Sequence, residues 1–441
     1  MRWLTQADKQ LWRLALPMIL SNITVPLLGS VDTAIIGHLD SPRYLAGVAI
    51  GTTITSFAFM LLLFLRMSTT GLTAQAWGAR NRQAIARSLV QPLLIALIAG
   101  GLFILFRTPL SQLALEVVGT QEDVAQQALL FLNIRWLSSP ATLANLVILG
   151  WLLGVQYARA PVILLVVGNT VNIALDVLFV FGLGWGVEGA AAATVIAEYT
   201  TLLVGFFIIW RVLLQRGISL SQLKHAWRGE LSSLLRLNRD IFLRSLLLQL
   251  CFFYLMKFGA QLGSEVVAVN AILLMFLTFT AYALDGFAYA VESCSGEAYG
   301  RRDSQHLISV WHAACRQAGL VAVAFALVYA LAGPVIINRL TSLPELRTLA
   351  VHYLAWQVIL PLCGVWCYLL DGMFVGATRA SDMRNSMICA ALGFALTLCT
   401  LPVLGNHGLW LAMTVFLLLR GLTLWLIWRY HWRHNSWFIC R

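Results

Sequence analysis

The sequence predicts an all-α polytopic membrane protein, with twelve transmembrane helices in two six-helix bundles that repeat one another in parallel. Three observations carry this. Sixty per cent of the 441 residues are hydrophobic and only 11% are charged, with a mean hydropathy of +0.80; a soluble domain is nearer half apolar and a quarter charged. Twelve apolar runs of about 20 residues or more punctuate the chain, the length that crosses a bilayer as a helix. And the chain is written twice. Ala76-Trp77-Gly78-Ala79-Arg80-Asn81 returns as Ala298-Tyr299-Gly300-Arg301-Arg302-Asp303, and Leu45-Ala46-Gly47-Val48 returns as Val267-Ala268-Val269-Asn270, both 222 residues on. Two similar halves in so apolar a chain form the pattern of a transporter with a central site.

The apolar runs lie near 12–36, 46–72, 88–106, 126–153, 158–183, 187–210, 241–262, 266–290, 308–337, 348–376, 386–403 and 407–428. Six spans return the chain to its starting side, so both halves share an orientation. Residues 1–210 are expected to form an N-terminal lobe and 240–441 a C-terminal lobe. Between them, 211–239 is the one extended polar stretch and is expected to be a cytoplasmic linker. It holds an amphipathic piece, Leu220 to Leu237, suited to lie on anionic lipid. The remaining loops are too short to hold a catalytic domain.

The net charge of +11 invites a nucleic-acid partner, but its distribution argues against one. Twenty-one Lys and Arg residues fall in the termini and alternate loops, among them Arg80, Arg82, Arg216, Lys224, Arg301 and Arg433. The opposite loops carry only Arg43, Arg107, Arg339 and Arg347. The charge is therefore a topology signal that places both termini in the cytoplasm, on an inner membrane. The first apolar run is too long for a cleavable signal and lacks a small-residue cleavage site. All eight cysteines lie in the second half, in or beside spans. Cys363 and Cys367 are one turn apart without a histidine, so these thiols read as small buried side chains and no metal site is expected.

Ionisable groups inside a membrane are costly, so each is a functional candidate. Asn22, Gly29 and Asp32 line one stripe of the first span, where Pro17 and Pro26 interrupt the backbone ladder. Asn169, Asn172 and Asp176 share a face of the fifth span. Thr194 and Glu198 lie one turn apart on the sixth. Asp32, Asp176 and Thr194 each sit roughly 7–11 Å from the same end of their spans, so the three stripes can meet at one level. Two carboxyl groups held together out of water compete for ionisation. Asn172 and Thr194 can bond either protonation state. That is proton-carrier chemistry; the plainer alternative is a polar network that joins helices.

Glu198 and Arg135 are placed to form a buried ion pair. The second half carries Lys257, Asp285, Glu292 and Asp371, but no carboxylate at the repeat positions of Asn172 and Asp176. Coupling is therefore expected in the first half. Asn22, Tyr254, Tyr282 and Gln357 are candidates to line a cleft for an apolar or cationic guest.

These residues together resemble the multidrug and toxic compound extrusion (MATE) family. Leu16-Pro17 opens the first span, and Val31-Asp32-Thr33 with Gly37 closes it. Gln75-Ala76-Trp77-Gly78-Ala79 ends the second, and Asn172 stands four residues before Asp176 in the fifth. The resemblance runs along the whole chain and is strongest to the branch named for DNA-damage-inducible protein F. It implies the MOP-superfamily fold, V-shaped around a central cleft, in a monomer. It implies an antiporter that exports amphipathic or cationic compounds in exchange for H⁺ or Na⁺, with no other cofactor and with membrane lipids around it. It implies protonation at Asp32, surrounded by Asn172, Asp176 and Thr194; the spacing of the residues adds Asp176 as a second coupling acid and Asn169 and Glu198 to the network. The fourth-span tyrosine common in the family is Phe131 here. The Na⁺-coupled branch has acids in the seventh and tenth spans; here the seventh has Tyr254 and Lys257, and Asp371 stands about a turn late, which favours H⁺.

The alternatives are a Na⁺-coupled exporter, a flippase of a lipid-linked precursor, an intramembrane enzyme and a channel. A flippase would want a large basic cavity, and its candidates, Arg66, Arg244 and Lys257, are scattered. No HExxH, GxSG or paired GxGD is present, and no histidine is expected close enough to a serine or acid for nucleophilic chemistry. A channel would want rings of charge, which the two-fold repeat lacks.

Overall fold

The computed structural model describes residues 4–439, apart from the side chains at 29, 30 and 33, so Gly29 of the first-span stripe, Arg441 and Cys440 lie outside the described residues. Among the described residues there is no strand, and twelve helices are long and apolar enough to cross a membrane: Gln6–Leu28, Pro42–Gly78, Arg82–Leu105, Glu122–Gly154, Ala160–Gly182, Gly186–Arg216, Leu231–Gln261, Ser264–Arg301, Ser304–Leu340, Pro344–Gly376, Ala380–Leu404 and Asn406–Arg433. Each coincides with one apolar run of the sequence. The seven described cysteines are free thiols.

The chain packs as two units. One holds residues 23–234; the other holds 235–439 together with the chain up to Asn22. The start of the first helix thus packs with the second half of the chain, which the repeat alone does not indicate. Trp12 lies 5.6 Å from Phe287, and Asp8 is bonded by Arg316 and Gln317. The helix runs from Gln6 to Gly37 straight through Pro17 and Pro26, so the prolines remove backbone donors without ending it.

The duplication is visible in close detail. A Cβ added to Gly150 would stand 2.5 Å from the Arg66 carbonyl, and one added to Gly372 would stand 2.5 Å from the Ala288 carbonyl. Both pairs are related by the 222-residue repeat, so each half brings two helices to the same backbone-to-backbone contact, which only glycine permits. The turn after the second span has Arg80 at φ 55, and its mate Arg302 is at φ 56. Asn81 caps the next helix through Ala84 N, as Asp303 does through His306 N.

The linker differs from the single amphipathic helix expected over 220–237. It forms a short helix, Leu220–His225, opened by a Ser219–Gln222 capping box, and the seventh span then begins at Leu231. Gly229 at φ 91 and Glu230 at φ 47 break the helix between them, because left-handed residues cannot continue a right-handed turn. The third span straps this segment down: Gln91 donates to the carbonyls of Trp227 (3.3 Å) and Gly229 (2.5 Å), and Arg87 pairs with Glu230 at 3.8 Å.

The tail also corrects one expectation. His431 lies between Ser436 Oγ (2.7 Å) and Asp382 (3.7 Å). Arg379 reaches the same ring and donates to the carbonyls of Ser436 (2.7 Å) and Trp437 (3.0 Å), while its guanidinium sits 5.0 Å over the Trp437 ring. The serine and histidine are parts of a clamp that holds the tail. Asp382 and Arg379 meet His431 from 49 and 52 residues away, only through the fold.

Candidate functional site

The first-half unit gathers Asp32, Asn172, Asp176 and Thr194 at one end of its bundle. Asp32 lies five residues before the end of its helix at Gly37, Asp176 six before Gly182, and Thr194 eight after Gly186. These are depths of roughly 8–12 Å at 1.5 Å per residue. With its amide turned to satisfy both acids, Asn172 Nδ2 donates to Asp176 Oδ2 at 2.9 Å and to Asp32 Oδ1 at 3.2 Å. Its Oδ1 then accepts from Thr194 Oγ1 at 3.2 Å. Asp32 and Asp176 therefore share one amide donor, and two carboxyl groups held this close compete for ionisation.

Local structure explains the arrangement. Asn172 and Asp176 are one turn apart on the fifth span, so both face the same neighbour. Directly after Asp176, residues Val177–Gly182 widen into a π-helical segment, a device common beside functional groups. Ile35, Ile36, Val180 and Ala190 pack together next to the acids. Asn172 and Asp176 are buried, at 4% and 3% exposure, while Asp32 stays half-buried. Asn169 is half-buried one turn before Asn172.

Glu198 turns to the fourth span. Asn145 Nδ2 donates to its carboxylate at 3.0 Å, and Arg135 lies at 4.0 Å. Arg135 also stands 5.3 Å over the Phe59 ring and bonds Ser138. Asn145 has no sequence signature of its own; only its position facing Glu198 gives it a role. Because the pair is long and Glu198 is part-exposed, Glu198→Gln is expected to lower thermal stability by no more than about 1 kcal/mol, checked by melting in detergent.

The other candidates lie in the second-half unit. Asn22 Nδ2 donates to the Tyr282 carbonyl at 3.1 Å. Tyr254 is 41% exposed and borders an apolar groove with Leu247, Phe258, Phe394 and Leu398. Gln357 is fully buried, and both its amide atoms lack a partner among the described residues. Asp371, left without a clear partner by the sequence, is bonded by Arg244 and Arg420. Among the described residues no cluster of three or more His, Cys, Asp or Glu could hold a metal.

Among the described residues, Asn172 is the one side-chain donor that bonds both acids. Replacing it with leucine removes two bonds to carboxyl oxygens, worth about 1 kcal/mol to the neutral acid and about 1.5–3 kcal/mol to the charged one. Asn172→Leu is therefore expected to slow transport by tenfold or more at normal protein levels, measured as dye efflux from liposomes.

Comparison with known proteins gives a consistent picture. The family model described as MatE matches twice, over residues 17–178 and 241–401, once in each half. The chain is 69% identical over 438 residues to DNA damage-inducible protein F of Escherichia coli (strain K12), covering 99% of this chain and 95% of that one. It is 23% identical over 427 residues to a probable multidrug resistance protein NorM of Acinetobacter baylyi, covering 92% of each. Among solved structures, a MOP superfamily transporter from Pyrococcus furiosus superposes with a TM-score of 0.86 at 22% identity, over 98% of this chain and 97% of that one. At that identity the likeness speaks for the fold.

Proposed function

This chain belongs to the MatE family, a family of membrane transporters and not of enzymes, and from that premise we propose that it is a secondary active antiporter. It exports amphipathic or cationic compounds across the inner membrane in exchange for inward H⁺. The observation that carries this reading is the Asp32–Asp176 pair, both bonded by the single Asn172 amide, so that two carboxyl groups compete for one charge out of water. A buried acid pair loads and unloads a proton at little structural cost, because Asn172 and Thr194 can serve either state. When the proton arrives, Asp32 is neutralised and the first span changes its balance between states. A proton can shift that balance only by its differential affinity for the two.

The first span is suited to transmit the change. It packs with one unit up to Asn22 and with the other from Ile23, and Pro26 lies just past that point with no backbone donor to restrain a bend. The NorM relative is a probable multidrug resistance protein, and polyspecific export is the extension to this chain.

The test is efflux of dyes from liposomes that contain the purified protein, under separate H⁺ and Na⁺ gradients. Efflux should follow the H⁺ gradient and ignore Na⁺; the reverse would reassign the coupling ion. Topology is checked with single cysteines in a cysteine-depleted background. Asn435→Cys should react with an impermeant maleimide only from the cytoplasmic side, and Ser342→Cys only from the opposite side.

A further inference from the structure

We infer that the second-half unit holds a subsite for the anionic head of an amphipathic substrate, formed by Arg244 and Arg420, with the substrate's apolar body in the groove of Leu247, Leu250, Tyr254, Phe258, Phe394 and Leu398. The inference rests on the transport reading above and adds a substrate class to it.

The first observation is the use of donors. Arg244 Nη2 bonds Asp371 Oδ2 at 2.5 Å, and Arg420 Nη2 bonds the same oxygen. Each guanidinium has five N–H donors. Both arginines are more than nine-tenths buried, and the Nε of each lacks a partner among the described residues. Buried donors of this kind are costly unless an acceptor meets them. A planar fork with free edges fits a carboxylate or sulfonate.

The second observation is the polarity of the groove. Among its lining residues there is no acid. Arg244 stands one turn before Leu247 and two turns before Cys251 on the helix that lines the groove, and Tyr254 carries the Lys257 ammonium 5.7 Å over its ring. From Arg244 to Phe258 that helix carries two charges, both basic. The third is the repeat. Arg420 stands 222 residues after Glu198, so the second half carries a cation where the first carries an acid. Asp371, bonded to both arginines, offsets them at rest, so an arriving anion competes with it for the guanidinium edges.

The test uses two dansyl probes with the same eleven-carbon chain, one ending in a carboxylate and one in a trimethylammonium. Binding to the purified full-length protein is followed by fluorescence anisotropy. The carboxylate probe should bind the wild type. Arg244→Gln and Arg420→Gln should each weaken it by tenfold or more and leave the ammonium probe unchanged. Asp371→Asn should tighten the carboxylate probe several-fold by removing the competing carboxylate, a gain that misfolding cannot mimic. Unchanged carboxylate binding in all three variants, or equal loss of both probes, overturns the subsite. Binding of the ammonium probe alone by the wild type also overturns it and leaves the transport reading standing, whereas binding of neither probe removes both. Repeating the measurement in nanodiscs with and without phosphatidylglycerol identifies the source of the anion. Competition by that lipid assigns the subsite to a lipid headgroup, and its absence assigns it to a soluble amphipath.

Discussion

Asp32→Asn is expected to reduce proton-driven dye efflux to the level of empty liposomes, while the protein still inserts and folds. The substitution keeps the size and shape of the side chain and can still bond Asn172, so its effect on stability should stay within about 1 kcal/mol. What it removes is the carboxyl that binds and releases a proton. Without it, Asp176 shares the Asn172 amide with a neutral side chain, and the pair can no longer compete for a proton. Transport is measured against an imposed pH gradient, and folding by size-exclusion profile and melting temperature. Wild-type efflux in this variant would place the coupling group elsewhere.

Gly372→Leu is expected to have the largest effect on stability. A Cβ there already stands 2.5 Å from the Ala288 carbonyl and 3.2 Å from Val291 Cβ, so the eighth and tenth spans would have to separate. Overpacking of this kind costs about 1–3 kcal/mol, and more where backbone must move. For a helix pair this long that amounts to a fall of about 5 °C or more in apparent melting temperature. Gly319→Ala is the control, because nothing lies within 4 Å of a Cβ at that position. It should be neutral or slightly stabilising, since alanine favours a helix over glycine by about 1 kcal/mol.

The twelve spans and the duplication were legible because both rest on long apolar runs and on a fixed spacing, signals that survive substitution at single positions. The acid cluster was legible for a related reason. Asp32, Asn172, Asp176 and Thr194 each lie on a regular helix at a countable distance from its end, so their common level follows from the rise per residue. Features that depend on which helix faces which were not legible. Nothing in the sequence pairs Asp371 with Arg244, 127 residues away, or seats Asn145 against Glu198. The break at Gly229 and Glu230 was hidden by an amphipathic pattern that continues across it. The passage of the first helix from one unit to the other at Asn22 is likewise a matter of packing, and the repeat offers no sign of it.

The most direct measurement is infrared difference spectroscopy of the purified protein in lipid, taken as substrate binds and leaves across a pH step. A protonated-carboxyl band should rise and fall with substrate in the wild type and should vanish in Asp32→Asn. A spectrum in which no carboxyl changes its protonation as substrate exchanges would contradict proton coupling at this pair.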